Sequence, residues 1–236
     1  DVLEEYWTKY EGFDFAKIDS EWARYKSQSS KEVNYLVKEF EMKKSASAYA
    51  RTTVSKTGVL DCSKLFQYKY NDDIFKKISV TPDGKNHGLI FNLDWSGSMS
   101  HILFSTMKQL LNLIQFCNKT GIPFEVYAFT NEWDSESVQK VKEVKENEIT
   151  IEKFNMIKFA SSDLKKRDLD KVMKYMFRTA FAMTYRAADY NIPYKLYLSG
   201  TPLNEAIISM KQILPIFQKR NKVEKCHIIN LTDGEG

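Results

Sequence analysis

The chain alternates short, almost wholly apolar runs with longer stretches in which apolar residues recur every three or four positions. GLIFNLD (88–94) is bounded by a glycine and a carboxylate, and its almost wholly apolar run marks a strand covered on both faces in a parallel sheet. A parallel neighbour requires a crossover. The next segment supplies one: Leu103, Met107, Leu110, Ile114 and Cys117 are separated by four, three, four and three residues, a continuous helix face. IPFEVYAFT (122–130) reads as a second strand and FNMIKFA (154–160) as a third. DLKKRDLDKVMKYMFRTAFAMTYRAADY (163–190) reads as helix, LSGTPLNEAIISMKQIL (198–214) as a loop opening into a helix, and KCHIINLTDGEG (225–236) as a further apolar strand ending in an aspartate. This alternation predicts an α/β fold with a doubly wound, mostly parallel sheet and helices on both faces.

Upstream the pattern changes. Trp22, Tyr25, Val33, Leu36, Val37 and Phe40 fall at roughly helical spacings, which predicts one or two amphipathic helices as an N-terminal extension, packed on the main domain or offered to a partner. A connector follows, in which KKISV (76–80) and LIFNLD (89–94) flank the turn signal TPDGKNHG and read as a strand pair. The expected organisation is therefore residues 1–77 as helical extension and connector and 78–236 as the α/β domain. SESVQKVKEVKENE (135–148) reads as an exposed insertion.

Composition narrows the function classes. With 43% hydrophobic and 28% charged residues, 236 residues suffice for one good-sized domain plus an appendage. Lys and Arg exceed Asp and Glu by only 35 to 31, spread along the length, which gives no case for nucleic acid. Cys62, Cys117 and Cys226 are odd in number, far apart and outside any C-x-x-C spacing, which suits a reducing, cytoplasmic compartment. No apolar run approaches the roughly 20 residues of a membrane span, and DVLEEYWTKY does not read as a signal peptide. The missing initiator methionine leads to the expectation that this chain begins inside a longer one or that an earlier segment was removed.

The candidate chemistry gathers where strands end. Asp94, Ser96 and Ser98 occupy the loop between the first α/β strand and its helix, Asp233 closes the later strand, and Thr201 precedes another helix. In a doubly wound sheet these positions converge outside the carboxyl ends of the strands, where the strand order reverses. Two carboxylates and three hydroxyls, without His or Cys, are hard donors suited to Mg²⁺, Mn²⁺ or Ca²⁺ rather than zinc or copper. The alternating spacing aims successive odd positions at one point, and Gly97 lets the backbone approach closely. Such a cation keeps an open position, which an outside carboxylate can fill.

Other readings of the chemistry weaken on inspection. A phosphoryl-transfer aspartate of the haloacid dehalogenase kind needs a second aspartate two residues on, where this chain has Ser96, and no G-x-x-x-x-G-K-[ST] loop is present. His101 reads as an exposed or capping residue, and His87 and His227 lack ligand companions at suitable spacing. Asp72 and Asp73 read as turn or helix caps, Cys117 as core, and Trp95 either as packing under the loop or as an aromatic rim.

DWSGSMS resembles the D-x-S-x-S motif of von Willebrand factor type A domains, GTPL their second-loop threonine, and LTDGEG their third-loop aspartate, in the same order and the same strand and loop contexts. The resemblance covers residues 88–236. It implies a metal-ion-dependent adhesion site of Asp94, Ser96, Ser98, Thr201 and Asp233, in which an exposed Asp or Glu of a protein partner completes the coordination of Mg²⁺, and a binding rather than catalytic role. Trp95 and Trp133 are the candidate rim residues reading the partner. GVLD, FTNEW and the helical prelude are most similar to intracellular bacterial and phage members, among them the type A subunit of aerobic cobaltochelatase, which work beside a MoxR-like AAA+ ATPase. The expectation is an adaptor serving such an ATPase; a subunit of a cobaltochelatase-like metal-inserting complex and a structural component of a virus particle are the alternatives. A complete domain of this kind carries one or two more strands and a final helix after the third-loop aspartate, so the natural protein is expected to continue past Gly236.

Overall fold

The computed structural model describes residues 15–51, 53–55, 60–70, 78–80, 86–131, 153–185, 192 and 196–234. The chain divides into two compact units, one formed by residues 1–34 with 86–236 and the other by residues 35–85. The boundary expected at 77–78 thus falls inside the second unit.

In the larger unit β3 (His87–Asp94), β4 (Phe124–Asn131), β5 (Phe154–Ser161) and β6 (Lys225–Leu231) form a mixed sheet in the order β5-β4-β3-β6. β3 runs parallel to both β4 and β6, and β5 is antiparallel to β4. Among the described residues there are four α-helices: α1 (Ala16–Arg51), α2 (Leu103–Thr120), α3 (Lys166–Tyr185) and α4 (Leu203–Asn221). None is long and apolar enough to cross a membrane.

Because side chains alternate along a strand, β3 feeds two cores. Phe91 and Leu93 join the large core with Leu103, Met107, Leu110, Ile114 and Cys117 of α2 and with Met173, Phe177 and Ala180 of α3. Ile90, facing the opposite way, packs with Met210 and Phe217 of α4 and with Val223. Helices therefore cover both faces, and the apolar face of α2 legible in the sequence is fully buried. Gly121, at φ 69°, ends α2 in the left-handed conformation that suits glycine, and the chain turns directly into β4.

The N-terminal half of α1 belongs to this unit. Trp22 and Tyr25 pack on Phe177 of α3, at ring separations of 5.1 and 5.4 Å. Arg178, also on α3, reaches both oxygens of Asp19 through Nη2 at 2.8 and 2.9 Å and Oδ1 through Nε at 3.1 Å, and Lys174 adds a fourth contact at 2.9 Å.

In the smaller unit the strand pairing differs from the sequence expectation. β2 (Ile78–Val80), within KKISV, pairs antiparallel with β1 (Thr53–Ser55) instead of with β3. The hairpin reading failed because β3 has parallel partners on both sides and no edge left for β2.

Candidate metal centre

Strand β3 has β4 on one side and β6 on the other, so the strand order reverses at β3, and the carboxyl ends of β3 and β6 lie side by side. In open α/β sheets this is the position where ligands bind. Asp94 is the last residue of β3 and Asp233 lies just beyond β6.

The loop after Asp94 is stitched to the segment that leads into α4. Ser96 forms a parallel bridge with Ser199, Gly97 N donates to Ser199 O at 2.8 Å, and Ser199 N donates to Trp95 O at 3.2 Å. Beneath, the Trp95 indole donates to Leu196 O at 2.7 Å and meets Phe159 edge-on at 5.2 Å. These bonds tie the segment 196–199 to the loop, and Thr201 follows two residues past the bridge.

The side chains then form a chain of oxygens. Ser96 Oγ lies 3.0 Å from Ser98 Oγ, and Ser98 Oγ donates to Asp233 Oδ1 at 3.1 Å. Thr232 Oγ1 donates to Asp94 Oδ2 at 2.7 Å, while Asp94 Oδ1 is buried with no hydrogen-bond partner. Burial pushes the Asp94 carboxyl above the ordinary aspartate range; bonds to Thr232 and Ser96 oppose that shift and the nearby Asp233 charge adds to it. Asp94 and Ser96 are buried, whereas Ser98 and Asp233 are exposed, so the oxygen set has a closed floor and a side open to solvent.

This donor set fits a hard divalent cation. A buried carboxylate oxygen without a partner is costly, and a cation is what removes that cost when the neighbouring groups are a second carboxylate and hydroxyls. Among the described residues no group of three or more His, Cys, Asp and Glu side chains comes together, so the oxygens of Ser and Thr are needed to complete such a shell.

Of the five residues expected from the sequence, Asp94, Ser96, Ser98 and Asp233 are joined by hydrogen bonds directly or through Thr232, while Thr201 lies two residues past the Ser96–Ser199 bridge. Trp95 is 0% exposed, which removes it from the rim: the indole N–H and the flat ring are both satisfied inside. Trp133, Asp72 and Asp73 lie outside the described residues. His101 is exposed in the 3-10 turn Ser98–His101.

Three features escaped the sequence reading. Thr232 orients Asp94 from 138 positions away. Below it Asn92 Nδ2 donates to Asn230 Oδ1 at 2.9 Å, joining β3 to β6 through side chains as well as backbone. His87 and His227 meet across the same strands, Nδ1 to Nε2 at 3.2 Å. Only the parallel pairing of β3 with β6 brings these residues together, and no local pattern encodes it. No protein family, characterised protein or solved structure is found to match the chain.

Proposed function

We propose that the protein is a divalent-metal-dependent binding protein of the von Willebrand type A kind, built on a doubly wound sheet, that recognises an exposed Asp or Glu of a protein partner through a Mg²⁺-type site. The observation that carries this reading is the buried, unpartnered Oδ1 of Asp94 at the reversal of strand order, next to the Ser96–Ser98–Asp233 chain of oxygens. Asp94 and Asp233 would supply the charge, and Ser96, Ser98 and Thr201 the neutral oxygens. When bound, the cation supplies an electrophilic point that a carboxylate from outside can satisfy. The open side at Ser98 and Asp233 leaves room for that carboxylate. A MoxR-like AAA+ ATPase is the partner class proposed on the sequence resemblance.

The test is calorimetric titration of Mg²⁺ and Mn²⁺ into the wild-type chain, Asp94→Ala and Thr201→Ala, with folding checked by circular dichroism. Saturating metal at about a hundred times its dissociation constant should stabilise the wild type by about 2.7 kcal/mol. Asp94→Ala should lose metal binding while staying folded. Thr201→Ala should keep most of it, because losing a neutral ligand is milder than losing a charge. A folded wild type that binds neither ion, or an Asp94→Ala variant that binds both unchanged, rules the reading out.

A further inference from the structure

A second pair of ligand-type side chains lies at the other end of the central strands. His87 opens β3 and His227 is the third residue of β6, whereas Asp94 closes β3, about 23 Å away at the rise of an extended strand. The parallel register sets His227 beside Leu89 and His87 beside Lys225, so the two imidazoles project from the same face of neighbouring strands. Their facing nitrogens, Nδ1 of His87 and Nε2 of His227, are 3.2 Å apart, and the rings are parallel within 2° with centroids 5.5 Å apart. A centroid separation so much larger than the nitrogen separation means that the rings meet edge to edge. Both residues are exposed.

Two nitrogens at this spacing match the bite of a single metal ion. With Zn–N bonds of about 2.0–2.1 Å, nitrogens 3.2 Å apart subtend about 100–105° at the ion, close to the tetrahedral angle. Reaching that arrangement needs a turn of each exposed ring, so that the two lone pairs meet beside the line between the nitrogens instead of along it. The proton now held between the rings moves to Nε2 of His87 or Nδ1 of His227, the nitrogens on the far edges. The backbone does not have to move: the pairing of β3 with β6 fixes both α-carbons, and the Asn92–Asn230 bond at 2.9 Å ties the same strands further along. Neutral imidazole suits Zn²⁺, Cu²⁺ and Ni²⁺, whereas Mg²⁺ and Ca²⁺ take oxygens, so the ion class differs from that of the Asp94 centre. Lys225, in register with His87, is exposed, and its flexible stem lets the ammonium stay in water away from a bound cation. Among the described residues no third His, Cys, Asp or Glu joins the pair, so water or outside donors complete the shell.

We propose that His87 and His227 bind one transition-metal ion of the Zn²⁺, Ni²⁺ or Cu²⁺ class, which clips the start of β3 to β6 independently of the candidate metal centre. The test is calorimetric titration of Ni²⁺ into the full chain at about pH 7.5, with about 10 mM Mg²⁺ present to fill hard oxygen sites. The wild type should bind one Ni²⁺ per chain and melt at a higher temperature with it than without. His87→Ala and His227→Ala should each weaken that binding at least about tenfold, since even the outer partner of a ligand is worth that much. His101→Ala, which changes the one remaining histidine of the sequence, should leave more than half of the affinity. Cys226→Ser should do the same, because successive side chains of a strand point to opposite faces and the thiol lies on the other side from His227. His87→Gln and His227→Gln repeat the comparison with a polar side chain, and circular dichroism checks each fold. A folded wild type that binds no Ni²⁺ overturns the proposal, as does an equal loss in His101→Ala or Cys226→Ser. Loss in Asp94→Ala with binding kept in both histidine variants overturns it too, and assigns the ion to the other centre.

Discussion

Thr232 Oγ1 donates to Asp94 Oδ2 at 2.7 Å, joining the residue after β6 to the last residue of β3, 138 positions away. The bond fixes one carboxylate oxygen and leaves the other, Oδ1, alone in the buried floor of the site.

Thr232→Val keeps the shape and removes the donor. If Asp94 binds a cation, Thr232 is the outer partner that orients it, and losing such a partner typically weakens metal affinity 10- to 100-fold. Titration of Mn²⁺ into Thr232→Val should show a loss of that order, with the variant folded. Unchanged affinity would mean that the Asp94 carboxylate needs no orienting bond.

Trp95 gives a different test. Its indole bond to Leu196 O is buried, and Trp95→Phe leaves that carbonyl unpaired as well as opening space. An unmade buried hydrogen bond costs about 1–3 kcal/mol. Denaturant unfolding of Trp95→Phe should show at least that loss. An unchanged midpoint would show that the Leu196 carbonyl finds another partner.

The parts of the fold set by local periodicity were legible. The α2 face from Leu103 to Cys117 and the apolar run of β3 need only the spacing of their own residues, and both are buried as expected. The features that local pattern misread or left open depend on distant neighbours. KKISV carries a strand signal but no address, and it pairs with Thr53–Ser55 because β3 is already flanked by β4 and β6. Trp95 was open from the sequence between packing under the loop and lining a rim, and the loop folds its indole inward onto Leu196 and Phe159. Of the candidate site, the oxygen-bearing residues of the motif were legible in the sequence, while Thr232, Asn92 and Asn230 were not, since their contacts arise only once β6 lies beside β3.

Gly88 tests the packing of α4. A Cβ there would sit 2.6 Å from Phe217 Cε1 and 3.3 Å from Val223 Cγ2, and the Phe217 ring, 1% exposed, has nowhere to swing. Gly88→Ala should therefore lower stability by about 1–3 kcal/mol, as overpacked core substitutions do. Chemical denaturation should detect it. An unchanged midpoint would show that α4 shifts without cost.

Glu125 governs the acid limb of stability. It is 2% exposed at the start of β4, with Tyr127 donating to Oε2 at 2.7 Å and with Lys158 and Arg220 both on Oε1. Burial alone would raise its pKa, but the bonds from Lys158, Tyr127 and Arg220 outweigh it and hold the carboxyl below the ordinary value of 4.5. A carboxyl depressed in the folded state contributes stability that is complete above its unfolded pKa and is lost as pH falls through the folded one. Glu125→Gln should thus cost about 2 kcal/mol at neutral pH, the scale of hydrogen bonds to a charged group. Below pH 4.5 the gap between wild type and variant should close, because the wild-type carboxyl becomes neutral as well. Asp19 and Asp94 also titrate in acid, with pKa shifts of opposite direction, but both proteins contain them and their contributions cancel in the difference. Urea unfolding of both proteins across the acid range reads the gap directly. A gap that stays constant down to the acid limit would mean that the contacts of Glu125 with Lys158 and Arg220 contribute no net electrostatic stability.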